Sequence, residues 1–290
     1  MSSRPQSKAR TPAIVRTLKD LRRRIALYRK SGESVALVPT MGALHDGHLA
    51  LVRAAKRKSK HVVVSIFVNP TQFAPTEDLA RYPRDEAGDL MKLASVGTDL
   101  VWSPSAEEMY PEGFATRIEV TGAANGLEGA FRPHHFGGVA TVCCKLFSQV
   151  MPDIAVFGEK DYQQLAVIRQ MVRDLDLPLA IHGLATVREK DGLALSSRNA
   201  YLSPDERLAA PALNAAIRSV AEKVKAGGRP AAAIRSAALA LQRAGFAGVD
   251  YVAVVDAETL ADWSPKSGRP GRVLAAAWLG KTRLIDNVAI

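Results

Sequence analysis

Residues 61–68 read HVVVSIFV, an apolar, β-branched run interrupted by one serine. A strand with one face in water alternates apolar and polar residues, whereas a strand covered on both faces does not. The run therefore predicts a strand with helices packed on each side. VALVP at residues 35–39 has the same character. Between the two, residues 48–58 place Leu49, Leu51, Val52 and Ala55 at helical spacing. Strand, helix and strand at this separation make a βαβ unit, and that unit commits the chain to a parallel sheet.

The alternation extends in both directions. Residues 17–30 carry Leu18, Leu21, Ile25 and Leu27 near one helical face and stop at Ser31-Gly32. A helix is expected over 85–95, a short strand over 99–102, an apolar helix over 139–150, a strand over 154–157, a helix over 160–174 and a strand over 179–184. Beyond about Val187 the pattern changes: residues 204–244 are Ala-rich and helical, and 249–255, 273–278 and 282–288 read as strands. The expected fold class is α/β, a doubly wound and mostly parallel Rossmann-like sheet, followed by a smaller α+β domain, with the division at 1–187 and 188–290.

With 290 residues, 47% of them apolar, the chain can fill a core of this size, which excludes a disordered or fibrous class. No stretch of about 18 uncharged apolar residues occurs, and MSSRPQSKAR at the start has no apolar segment behind it. A cytoplasmic protein with a frayed tail is the expectation. The formal charge of +10 would suit small polyanions or nucleic acid. It is spread out, with dense spots at Arg22 to Arg24 and at KRKSK, and no aromatic residues interleave it, so solvated helix faces are the preferred reading. Cys143 and Cys144 are neighbours in an apolar stretch, where they act as small hydrophobes.

In an open parallel sheet the ligand crevice lies beyond the carboxyl ends of the strands. VALVP runs into TMGALHDGH, IFV into NPTQF, IAVF into GEKDYQQ, and the strand near Leu184 into a loop reaching LSSRN. Gly42 and Gly47 allow close approach to backbone, and a helix beginning near Asp46 offers unpaired N–H groups to an anion. His45 and His48 add imidazole donors. The alternative, a helix cap and a gap filler, suits a lone histidine better than two beside two glycines. Lys160 supplies a point charge, and Gln164, four residues on, shares its face. In SSRN, Arg198 can grip phosphate bidentately, with Arg188 and Lys190 upstream, although Ser and Asn also suit a cap and turn. Asn69 and Gln72 read equally as a Pro-fixed turn or as a pocket floor. No zinc spacing, GxSxG or P-loop occurs. Phosphate elements on two strands favour a nucleoside triphosphate carrying Mg²⁺.

TMGALHDGH resembles the HIGH motif of the nucleotidyl-transferase superfamily, and LSSRN stands where that superfamily has its KMSKS loop. The series PTMGALHDGH, FVNPTQF, YPR at Tyr82 to Arg84, HFGGVATV, PDIAVFGEKDYQQL and ALSSRN looks like the pantothenate synthetase family, in order and spacing from about Val35 to Asp205. The resemblance implies an ATP-dependent ligase that forms pantoyl adenylate from (R)-pantoate, then passes the acyl group to β-alanine. It implies an ATP site of Met41, Gly42, Ala43, Leu44, His45, Asp46, Gly47 and His48, with His48 as proton donor, and Gly158, Glu159, Lys160, Asp161 and Val187 at the nucleotide. Leu195, Ser196, Ser197 and Arg198 would close over the triphosphate, with His45, His48, Lys160 and Arg198 serving the chemistry. Gln72 and Gln164 would hold pantoate, with Gln72 near β-alanine and with Asn69 and His135 as additions; Asp89 would help position Mg²⁺. A homodimer and small-molecule partners only, with neither nucleic acid nor membrane, are also implied. The family usually has Met at Leu195, and His134 and Gly137, beside Arg132 and His135, depart from its pattern. A transferase stopping at the adenylate, and an RNA-binding relative of the aminoacyl-tRNA synthetases, are the competing readings.

Overall fold

A computed structural model describes residues 11–74 and 79–290; the N-terminal tail, residues 1–10, lies outside them. The chain opens with β1 (Ala13–Val15), α1 (Leu18–Lys30), β2 (Val35–Thr40), α2 (Asp46–Lys56), β3 (His61–Ile66), α3 (Glu86–Ser95) and β4 (Leu100–Trp102). It continues through the short α4 (Ala106–Met109) and α5 (Leu127–Phe131) to α6 (His135–Val150), β5 (Ile154–Gly158), α7 (Tyr162–Asp174) and β6 (Ala180–Leu184). All pairings in this six-stranded sheet are parallel, in the order β1-β4-β3-β2-β5-β6.

β2 shows why an unalternating sequence was required. Val35 and Leu37 enter the layer formed with α1, α6 and α7, while Ala36 and Val38 enter the layer formed with α2 and α3. All four are fully buried. Period-two geometry sends successive side chains to opposite faces, and here both faces are dry.

Without β1, the order β4-β3-β2-β5-β6 is the doubly wound order whose direction reverses between β2 and β5. β2 pairs with β3 over its whole length, from Val35 opposite His61 to Thr40 opposite Ile66. Its pairing with β5 covers only Ala36 opposite Ile154 and Leu37 opposite Ala155. Past Leu37 these two strands part, and a crevice opens at their carboxyl ends.

After β6 come α8 (Pro204–Ala209), α9 (Ala212–Lys225), α10 (Pro230–Arg243), β7 (Gly248–Asp256), β8 (Gly271–Leu279) and β9 (Thr282–Ala289). The three strands form an antiparallel sheet in sequence order. Its apolar face packs Val273, Ala275, Ala277 and Leu284 against Leu213, Ile217, Val220 and Leu241 of α9 and α10. The two-part α/β and α+β architecture is as expected. The Ala-rich stretch divides into three helices, broken at Pro211 and at Gly227, which takes φ +88°. α6 begins at His135, four residues before the expected start at Val139, because Gly137 and Gly138 are part of the helix. The edge strand β1 and the short α4 and α5 carry too few residues to show a period.

Candidate active site

The loop after β2 is shaped from behind. Gly42 has φ +82°, and a Cβ there would sit 3.1 Å from Oδ2 of Asp89. Oδ1 of Asp89 accepts the Leu44 N–H at 2.7 Å, and the side chain is 2% exposed. Burial pushes its pKa up, against the loop N–H groups of Leu44 and Ala43 and the nearby Lys92 ammonium. The loop therefore bends around a carboxylate, which only glycine permits at residue 42.

α2 starts on a reciprocal cap made by two imidazoles. The Gly47 N–H donates to Nδ1 of His45 at 3.1 Å, and the His45 N–H donates to Nδ1 of His48 at 3.4 Å. The ring centroids are 4.1 Å apart. A nitrogen that accepts carries no proton, so in both neutral rings the proton sits on Nε2. Burial, followed by the Lys160 charge, lowers the pKa of His45; burial, followed by His45, brings His48 down to about 3. Near neutral pH the pair is uncharged, and each ring is an Nε2–H donor. The expectation for His48 is thereby sharpened: it offers a hydrogen bond, and the positive charge must come from elsewhere.

That charge comes from the loops after β5 and β6. The 3₁₀ turn Glu159–Asp161 carries Lys160, whose Nζ lies 3.7 Å from Asp161 Oδ1. Burial alone would raise the Asp161 pKa, but Lys160 and Arg198, with His135 and His48 beyond them, hold it below the usual range. Arg198 belongs to the turn Ser197–Tyr201, whose Ser196 hydroxyl accepts the Arg198 N–H at 3.2 Å.

A cavity of about 230 Å³ is lined by His45, His48, Lys160, Asp161, Ser196 and Arg198. Met41, Gly47, Gly158, Val187, Leu195 and Ser197 share that lining, as do Gln72, Gln164, Asn69 and His135. Gly42, Ala43, Leu44, Asp46, Glu159 and Asp89 do not. The Leu44 N–H is already taken by Asp89, and the Glu159 carboxylate faces Arg272, 3.2 Å away. Asp89 is a buried brace for the loop and is not part of the cavity lining. Among the described residues, no three His, Cys, Asp or Glu side chains gather as a metal site. Arg188, noted upstream of the SSRN loop, is bound bidentately to Asp286 at 2.7 and 2.8 Å.

Asn69 is 1% exposed and spends its amide on the turn Pro70–Gln72: Nδ2 donates to Gly138 O at 3.2 Å and to Gln72 Oε1 at 3.1 Å, while Oδ1 accepts the Tyr110 hydroxyl at 2.8 Å. Gln72 donates toward Met41 Sδ at 3.2 Å, and its carbonyl is 3.0 Å from His135 Nδ1 and 3.4 Å from Arg132 Nη2. Sequence reading missed the apolar wall, made by Val139, Val142 and Leu146 of α6 with Phe67 and Phe157. These residues looked like ordinary core, and their period holds no mark of a ligand. Cys143 sits in the same wall as a buried thiol pushed up to about 12 by burial, an inert hydrophobe as expected. A second cavity of about 710 Å³ lies between the sheet domain and the C-terminal sheet and shares Lys160, Asp161, Gln164 and Arg198 with the first.

The depressed histidine pKa has a consequence for stability. Unfolded histidines bind protons below about pH 6.5, while native His48 stays neutral down to about pH 3. Stability is full above the unfolded value and falls as pH drops through that window, by about 1 kcal/mol per pH unit. Urea unfolding between pH 7.5 and 4.5 should show this slope in the wild type and a reduced slope in His48→Gln. Equal slopes would remove the burial argument.

A doubly wound sheet, a crevice at its reversal point, and uncharged donors set against two cations define a nucleotide-binding α/β enzyme. The chain belongs to the pantoate-beta-alanine ligase family, whose family model matches residues 13–289. Curated relatives named pantothenate synthetase include one from Bradyrhizobium sp. strain BTAi1, 56% identical over 283 residues, and one from Caulobacter vibrioides, 55% identical over 282. They cover 97% of this chain and 100% and 99% of the relatives. Among solved structures, pantothenate synthetase from Thermus thermophilus is 51% identical with a TM-score of 0.87, covering 95% of this chain and 98% of that one. Pantoate-beta-alanine ligase from Francisella tularensis, complexed with beta-gamma ATP and beta-alanine, is 33% identical with a TM-score of 0.80, covering 96% and 97%. The activity of the family is an ATP-dependent condensation of pantoate with β-alanine.

Proposed function

We propose that this chain makes pantothenate in two steps in the crevice between β2 and β5, through a pantoyl adenylate. The observation that carries the reading is the meeting of His45, His48, Lys160 and Arg198 with Gln72 and Gln164 in one cavity.

In the first step a pantoate carboxylate oxygen attacks the α-phosphorus of ATP and the bond to the β-phosphate oxygen breaks, releasing pyrophosphate. Pantoate is ionised near neutral pH, so no strong base is needed. What the site supplies is alignment and neutralisation of the charge gathering on the leaving group. Lys160 and Arg198 provide positive charge, the Nε2–H groups of His45 and His48 provide fixed donors, and the backbone at the start of α2 favours an anion. Mg²⁺ travels with the triphosphate, and its chemistry is to neutralise the phosphate charge. The apolar wall suits the two methyl groups of pantoate, and Gln72 and Gln164 suit its hydroxyls and carboxylate.

In the second step the uncharged amine of β-alanine attacks the acyl carbon, AMP leaves, and the new amide nitrogen loses its proton. The mixed anhydride must be kept from water, and the segment Leu195, Ser196, Ser197 and Arg198, which lines the cavity, would close over it for that purpose. The domain division near Val187 belongs to this proposal, with residues 188–290 as the closing unit; Leu193 is the first residue of the second core. So do a homodimer and a cytoplasmic setting. No helix of the described residues is long and apolar enough to cross a membrane.

Product analysis tests the mechanism. With ATP, Mg²⁺ and pantoate the protein should catalyse pantoate-dependent ATP–pyrophosphate exchange, and adding β-alanine should release AMP with one pantothenate per ATP. ADP and inorganic phosphate as products would refute the adenylate.

A further inference from the structure

Two neighbouring residues of β9, which line the larger cavity and not the smaller, hold the two cationic loops. Asp286 and Asn287 are each 4% exposed and, as strand neighbours, project from opposite faces of the C-terminal sheet. Asp286 fixes Arg188, which stands at the foot of the loop where Arg188 bridges to Ala194 on the way to Ser196. Asn287 turns the other way. Its Nδ2 donates to the carbonyl of Glu159 at 2.8 Å and to that of Lys160 at 3.0 Å, and its Oδ1 accepts from Arg272 at 2.5 Å. Both amide hydrogens and the amide oxygen are thus committed to one task. Arg272 completes the hold, 3.7 Å above the Tyr162 ring and 3.2 Å from the Glu159 carboxylate.

A three-residue 3₁₀ turn has weaker internal hydrogen bonds than an α-helix, so outside partners decide how its peptide planes lie. The planes on either side of Lys160 set the direction in which its side chain leaves the backbone. We propose that Asn287 is a positioning residue for adenylate formation, aiming the Lys160 ammonium by gripping the carbonyls of Glu159 and Lys160. The proposal rests on the reading that Lys160 faces the phosphates of ATP.

Pantoate-dependent ATP–pyrophosphate exchange should be measured for Asn287→Asp and Asn287→Ser, alone and combined with Lys160→Met. The first keeps the shape and removes the donors; the second removes the reach. Each should lower the exchange kcat about 10²-fold while leaving the pantoate KM within about threefold, because a small misplacement of a charge costs rate more than it costs binding of a distant group. In the Lys160→Met background the same changes should cost almost nothing further, since residues acting through one group are not additive.

A full multiplicative loss in that background, single variants within about threefold of wild type, or loss of the fold in both variants would overturn the proposal in favour of a purely structural role. Lys160→Met at wild-type exchange would refute the phosphate reading, and the proposal with it.

Discussion

His48→Ala should lower kcat for pantothenate formation by about 10²–10³-fold, the usual cost of one preorganised donor at a site of developing charge. The KM for pantoate should move far less, because Gln72 and Gln164 line the cavity from other elements. Two features of the ring argue for so large an effect. Its Nδ1 is engaged by the His45 N–H, which fixes the tautomer and the orientation before substrate arrives. It is half-buried in the cavity wall, where little water is left to weaken a hydrogen bond to the leaving pyrophosphate. His48→Gln, which can still accept from the cap and donate outward, should recover part of the loss. Steady-state kinetics on the two variants decide the matter: a fall in kcat/KM carried wholly by KM would reduce His48 to a binding group.

Gly138→Ala should impair the site without touching a polar group. A Cβ at residue 138 would overlap the Thr71 carbonyl and approach the Gln72 nitrogen to 2.7 Å, both of them backbone atoms with no rotamer to yield. The Gly138 carbonyl is also the partner of Asn69 Nδ2. Either α6 or the turn Pro70–Gln72 must move, and the turn is the smaller element. Overpacking at such a contact costs about 1–3 kcal/mol of stability. The sharper outcome is functional: Gln72 is displaced, so the pantoate KM should rise at least about tenfold, in line with loss of an aligned hydrogen bond. Thermal melting and pantoate titration of the variant provide the check, and a normal KM with a lowered melting point would confine Gly138 to packing.

The inner strands of the parallel sheet were legible because burial on both faces leaves a continuous apolar signature, as in VALVP and HVVVSIFV. The site was legible where chemistry needs unusual residue types at strand ends: two histidines, a lysine at a turn, an arginine between serines. What stayed hidden is relational. Asp89 carries the same carboxylate whether it faces a metal ion or a backbone N–H, and only its burial behind Leu44 distinguishes the two. Nothing in the sequence pairs Arg188 with Asp286, almost a hundred residues later, which takes both of its terminal guanidinium nitrogens. Val139, Val142 and Leu146 have the spacing of core residues, and the cavity they line exists only because two strands elsewhere part company.

That parting has a further meaning. Because β2 and β5 touch over two residue pairs and then diverge, the crevice is a property of the backbone, and its two walls have different makers. The nucleotide half is built from loop ends and a helix start, whose geometry any large change would undo. In the proposed mechanism the acid half is walled largely by side chains on one face of α6, an element that also packs against α1 and α7, with Gln72 and Gln164 as its polar groups. Evolution could trade methyl groups along that face for a differently shaped acid while the phosphate machinery stayed as it is, so that acid selectivity and nucleotide chemistry are separately adjustable traits of one cleft.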